Sequence, residues 1–151
     1  MKDDFMFLPI PMQKQQMLQE LLKCNEFTSR YGVQLSPEEA GLLMEARKES
    51  LSANGRIEFG AGVMQRIIME FADSPYLYQD NYLSTLLELQ ECFYYFKNET
   101  LDELSDDELI HLMKYHFDHD CQGSAEYLQS TVLENISHDV RYGREQEEFY
   151  E

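Results

Sequence analysis

The stretch Tyr82-Leu83-Ser84-Thr85-Leu86-Leu87-Glu88-Leu89-Gln90-Glu91-Cys92-Phe93-Tyr94-Tyr95-Phe96 is the most apolar in the chain. Tyr82, Leu83, Leu86, Leu87, Leu89, Phe93, Tyr94 and Phe96 cover more than half the circumference of a helix running from about Asp80 to Asn98. A helix that apolar has to be covered on most of its sides, which places it at the centre of a domain.

The flanking sequence supplies the cover. Met17, Leu18, Leu21 and Leu22 predict a helix from about Met12 to Arg30, stopped at Gly32. Ser36-Pro37-Glu38-Glu39 is a capping box with proline at the first helical position, and Ala40, Leu43, Met44 and Leu51 form the apolar face that follows as far as Asn54-Gly55. A third helix follows Gly60 and Gly62, with Met64, Ile67, Ile68 and Phe71 on one face and a stop at Ser74-Pro75. Ser105-Asp106-Asp107-Glu108 opens a fifth helix, whose stripe is Leu109, Leu112, Met113, His116 and Phe117. Ser124 opens a sixth, which carries Leu128, Val132, Leu133, Ile136 and Val140 and is expected to stop near Gly143. Val33-Gln34-Leu35 and Arg56-Ile57-Glu58-Phe59 alternate apolar and polar, predicting one very short two-stranded bridge between residues 33–35 and 57–59. The fold expected is all-α: one domain over residues 1–151, an irregular bundle of about six helices. Residues 1–11 form an extended N-terminal segment and residues 144–151 a frayed acidic tail.

The chain has 151 residues and a formal charge of −17. Residues 1–97 carry 9 basic and 14 acidic groups, whereas residues 98–151 carry 3 and 15. Such a field repels phosphate backbones and anionic membrane surfaces, so direct nucleic-acid and membrane binding are not expected. It favours a protein partner with a basic surface. No segment approaches the roughly 20 apolar residues of a membrane span, and Met1-Lys2-Asp3-Asp4 does not read as a signal peptide. Cys24, Cys92 and Cys121 are odd in number and far apart, which points to reduced thiols and a cytoplasmic setting.

Potential ligand groups crowd only in Phe117-Asp118-His119-Asp120-Cys121-Gln122-Gly123-Ser124. Asp118, Asp120, Gln122 and Gly123 fall at the first, third, fifth and sixth positions of a calcium-binding EF-hand loop, but its twelfth position, which wants a bidentate Glu, is Gln129. The stretch Ser50 to Ala61 has a similar outline with the same defect. His116, His119, Asp118 and Asp120 are the candidate ligands for calcium or zinc. A polar turn between two helices is the competing reading, and the preferred one, because no Cys-x2-Cys or His-Glu-x2-His pairing is present. The acids at 102–103 and 106–108 suit a helix N-terminus better than catalysis, and nothing marks a nucleophile. No catalytic residue and no cofactor are assigned.

Exposed aromatic groups are expected at Tyr76 and Tyr78, after Pro75, and at Phe5 and Phe7 in a segment that Pro9 and Pro11 keep from being helical. These four are the candidate interaction residues, although for the N-terminal segment folding back along the body to close the core is the preferred reading and docking into a partner the alternative. The runs Gly55-Arg56-Ile57-Glu58-Phe59-Gly60, Ser74-Pro75-Tyr76 and Ser105-Asp106-Asp107-Glu108-Leu109-Ile110 resemble a family of small acidic bacterial proteins with no assigned function. That resemblance implies a soluble bacterial protein and carries no chemistry with it. The sequence therefore predicts a non-enzymatic interaction or adaptor module. A metal-responsive protein and an acidic nucleic-acid mimic are the alternatives, and homo-oligomerisation is left open.

Overall fold

The computed structural model describes the backbone of residues 10–58 and 60–150, with side chains for 12–58 and 60–143. The expectations for Phe5, Phe7 and the Phe59 end of the bridge lie outside these residues; of the segment expected to be extended over residues 1–11, only Ile10 and Pro11 are described, and they open the first helix instead.

Helix α1 is Ile10–Lys23, α2 Pro37–Ala53, α3 Gly62–Phe71, α4 Tyr82–Glu99 and α5 Asp106–Asp118. Helix α6 starts as Ala125–Tyr127, widens into a π turn over Leu128–Leu133 and continues as Glu134–Tyr150, beyond the stop expected at Gly143. Helix α4 packs against α2, α3, α5 and α6. Its Tyr82, Leu86, Leu89, Cys92, Phe93, Tyr94 and Phe96 are each at most 1 % exposed. At roughly 1.5–3 kcal/mol for each large apolar side chain withdrawn from water, this helix is the main source of burial. No helix among the described residues is long and apolar enough to cross a membrane.

The helix starts follow local chemistry. Ser36 Oγ accepts the Glu39 N–H and the Glu39 carboxylate accepts the Ser36 N–H, while Ser105 and Glu108 repeat the exchange at α5. Each reciprocal pair satisfies two backbone donors that the helix leaves unbonded. Hydrogen bonds from the backbone and hydroxyl of Ser105 hold the Glu108 carboxyl below the ordinary glutamate range.

Two further expectations need correction. The first helix does not run unbroken to Arg30. At Cys24 the ladder tightens, with the Cys24 N–H bonding Leu21 O and the Phe27 N–H bonding Cys24 O. A short turn Asn25–Thr28 and a 3-10 turn Ser29–Tyr31 follow, ending at left-handed Gly32. The second correction is the bridge: no strand occurs among the described residues. Val33 and Leu35 are buried and Gln34 exposed, as the alternation requires, but side-chain amides take the place of a partner strand. Asn25 accepts the Leu35 N–H and donates to Leu35 O, both at 2.8 Å, and Gln79 does the same for Gln34.

Residues 54–58 and Gly60 are likewise held by side chains. Arg47, 5 % exposed, donates to the Glu58 carboxylate at 3.2 Å, to Glu58 O at 3.1 Å and to Gly60 O. The Tyr94 hydroxyl lies 2.9 Å from both carboxylate oxygens of Glu58. Burial, and then the Glu58 charge, push the Tyr94 hydroxyl far above the ordinary tyrosine value. Cys24, Cys92 and Cys121 are all free and buried. Burial raises each thiol, Cys92 to about 12.

Removing one member of the Arg47–Glu58–Tyr94 network leaves a charge poorly partnered. Arg47→Met is expected to cost about 2–3 kcal/mol and Tyr94→Phe about 1–2 kcal/mol in denaturant unfolding. The contribution of a tyrosine raised in the folded state is complete below the unfolded value of 10.0 and is lost as pH rises through the folded value. The gap between the wild type and Tyr94→Phe should therefore narrow above pH 10.0. A gap that stays constant would mean that Tyr94 does not stay protonated in the folded protein.

Candidate interaction surface

The loop that follows α5 divides its candidate ligands. Ser74 Oγ donates to Asp118 Oδ1 at 2.6 Å, and Lys114 pairs with Asp118 Oδ2 while also reaching Asp73 at 3.0 Å. Burial alone would lower Lys114, but the carboxylates of Asp118 and Asp73 more than offset this and leave it raised. His116, at the edge of the core, bonds Asp120 at 2.8 Å. His119 packs on the Tyr115 ring, 4.5 Å between centroids. No group of three His, Cys, Asp or Glu side chains able to hold a metal ion occurs among the described residues. The four residues are thus one His–Asp pair, one carboxylate tied to Ser74 and Lys114, and one surface histidine.

Gly123 has its own reason to be glycine. Its φ is +84°, and a Cβ there would lie 2.5 Å from Tyr76 Cβ. Tyr76 is half-buried, edge-on to Phe117 with centroids 6.4 Å apart, and Leu77 is buried. Of the two tyrosines expected at the surface, Tyr78 is the more exposed, at 60 %. The glycine in the calcium-loop outline thus serves close packing of two turns.

A feature that sequence spacing does not announce is a furrow between α3 and α5. It consists of two adjoining hollows of about 610 and 200 Å³, which share Phe27, Met69 and Glu70 in their walls. Phe27, Met69 and Ile110 give it an apolar lining. Polar groups face one another across it: Arg66 on α3 with Asp107 on α5 at 3.6 Å, Glu70 on α3 with His111 on α5 at 3.2 Å, and Asp73, in the turn just after α3, with Lys114 on α5 at 3.0 Å. The tightened turn after Cys24 brings Phe27 and Tyr31 to one end, with Arg30 over the Phe27 ring at 4.6 Å. Positions 66 and 70 on α3, and 107, 111 and 114 on α5, are spaced to share one helical face each, but only the tertiary fold opposes them.

The model of a family of unknown function, DUF6323, matches residues 20–146. The chain belongs to that family. No curated protein and no solved structure matches it. The DUF6323 match takes in the last turn of α1, the whole of α2 to α5, α6 as far as residue 146, the furrow and the loop after α5, and it attaches no chemistry to any of them.

At the end of α4 opposite Tyr82, Ile57 is 86 % exposed and Leu101 is 44 % exposed. Leu101 and Asp102 both have φ +57°. The left-handed region costs a non-glycine residue about 1–2 kcal/mol and persists only where its surroundings enforce it. Here Asp102 is paired with Arg56, and the Asp102 N–H bonds Lys97 O at 3.1 Å.

Two outcomes are expected. A Cβ added to Gly32, also left-handed, would meet nothing within 4 Å. Gly32→Ala should therefore cost about 1–2 kcal/mol of strain, whereas Gly123→Ala should cost roughly 3 kcal/mol or more, because Tyr76 must also move. Calcium or zinc at about 100 times a site's dissociation constant would add roughly 2.7 kcal/mol. With Asp118 engaged by Ser74 and Lys114, neither ion should raise the melting temperature, and a rise abolished by Asp118→Ala with Asp120→Ala would make the loop a metal site.

Proposed function

We propose that this chain is a non-enzymatic interaction module that receives a protein partner with a basic surface in the furrow between α3 and α5. The observation that carries this reading is the combination in one place of an apolar lining and a carboxylate-rich rim. Phe27, Met69 and Ile110 offer area to desolvate, and around them the carboxylates of Glu70, Asp73, Asp107 and Glu108 outnumber the cations of Arg66 and Lys114. Interfaces gain affinity from a desolvated apolar centre, and specificity and encounter rate from the charges at the edge. Six of the twelve Lys and Arg of this chain are neutralised in place. Arg47, Arg56, Arg66, Lys97, Lys114 and Arg141 each face a carboxylate. A partner therefore meets a surface whose uncompensated charge is negative. A reducing, cytoplasmic setting fits three free, buried thiols, and a bacterial source rests on the sequence resemblance.

Met69 is 41 % exposed, so Met69→Glu should change stability by no more than about 0.5 kcal/mol. The same substitution should abolish retention of a partner that the wild-type protein holds, and the wild-type complex should weaken as salt is raised. Equal binding by wild type, Met69→Glu and Glu70→Lys would remove the furrow from consideration.

A further inference from the structure

We propose that Glu70 selects the occupant of the furrow, taking one arginine side chain of the protein partner in the place that His111 now fills. The inference rests on the furrow reading and narrows it to one residue. Most charges of the walls are already engaged. Arg66 faces Asp107 at 3.6 Å and Asp106 at 3.7 Å, and Lys114 faces Asp73 at 3.0 Å and also pairs with Asp118. Glu108 closes the cap of α5, its carboxylate accepting the Ser105 N–H at 3.2 Å. Glu70 is different. Among the described residues no Lys or Arg pairs with it, and its carboxylate meets His111 at 3.2 Å. An imidazole carries a full charge only when protonated. Of the carboxylates that line the two hollows, Glu70 is therefore the one left with an exchangeable partner.

Its position gives that charge a use. Phe27, Met69 and Glu70 line both hollows, so they form the waist that an occupant of the whole furrow has to cross. A side chain suited to this waist needs an apolar stem to lie against Phe27 and Met69 and a cationic head for Glu70. Lysine and arginine both have such stems. Arginine suits it better, because its planar guanidinium can bond both oxygens of a carboxylate and lie flat on an aromatic ring. The chain's own Arg30 already makes the second of these contacts, with its guanidinium 4.6 Å from the centre of the Phe27 ring.

His111 is placed to yield. Its side chain is 80 % exposed, so the ring can turn out into water. Arg66 and Lys114, each bridging two carboxylates, are held from two sides and stay. The exchange at Glu70 replaces a hydrogen bond from an imidazole by a charge-assisted pair at the edge of an apolar surface. Such a pair discriminates between partners more than it adds to affinity.

The test titrates the full chain with N-acetylarginine amide and with N-acetylcitrulline amide, which has nearly the same shape and no charge. The methyl resonance of Met69 reports binding. A dissociation constant in the millimolar range is expected of so small a ligand. The arginine probe should give a saturable shift and bind several-fold tighter than the citrulline probe. Glu70→Gln, its melting temperature checked to be near that of the wild type, should bring arginine down to the citrulline level, and His111→Ala should tighten arginine binding. Equal binding of the two probes, N-acetyllysine amide bound as tightly as the arginine probe, no saturable shift, or arginine binding unchanged by Glu70→Gln would each overturn the proposal. This inference and the furrow reading fail separately. A captured partner that Met69→Glu releases and Glu70→Gln holds as tightly as the wild type would sink the role of Glu70 and leave the furrow standing. Arginine bound through Glu70, in a chain whose partner is indifferent to Met69→Glu, would keep the arginine site and remove the furrow as the partner's seat.

Discussion

Helix α4 cannot exist in water by itself, because apolar side chains leave on almost every side of it. Tyr82, Leu86, Leu89, Cys92, Phe93, Tyr94 and Phe96 point in directions that no single neighbour can cover. Four other helices, α2, α3, α5 and α6, meet that demand. The rest of the architecture follows. The connections bring successive helices back onto α4, and the polar groups that the connections bury have to be satisfied where they fall. Asn25 and Gln79 do this for residues 34 and 35, and Arg47 does it for Glu58 and Gly60.

Most of the helices are readable from local signals because their causes are local. Both capping boxes, the proline after Ser36 and the apolar stripe of α5 act within a few residues, and the structure contains them as the sequence implies. The failures have non-local causes. Val33-Gln34-Leu35 has the period of a strand because Val33 and Leu35 face the core, yet two side-chain amides from distant turns saturate its backbone. Arg56-Ile57-Glu58 alternates for the converse reason. The polar residues are the ones turned inward, towards Asn98, Asp102, Arg47 and Tyr94, and the apolar one faces water. A period of two reports that alternate residues face alike. It does not say which set is buried or what the backbone bonds.

The candidate surfaces divide in the same way. The crowding of Asp118, His119 and Asp120 is visible in the sequence because it is contiguous, but contiguity is not convergence. Ser74 and Lys114 take both oxygens of Asp118. The furrow is invisible in the sequence because Phe27, Met69 and Ile110 come from three elements. Ile57 is in plain view, and only its exposure, together with the bonds on either side of it, separates it from a core residue. A buried arginine is the nearest thing to a sequence signal for such a loop. Arg47 sits on the apolar face of α2, between Met44 and Leu51, where a charge needs a partner brought from elsewhere.

The three thiols lie at different depths of this arrangement. Cys92 is in the middle of α4, Cys24 at the break after α1 and Cys121 in the loop after α5. Because burial raises all three, an alkylating reagent reaches thiolate only when the protein around each one opens. The chain thus carries built-in reporters of its own breathing. The turn at Cys24 and the loop at Cys121 can register partial opening, while Cys92 stays silent until the helices around α4 part. Their order of labelling would read out which layer of cover comes away first.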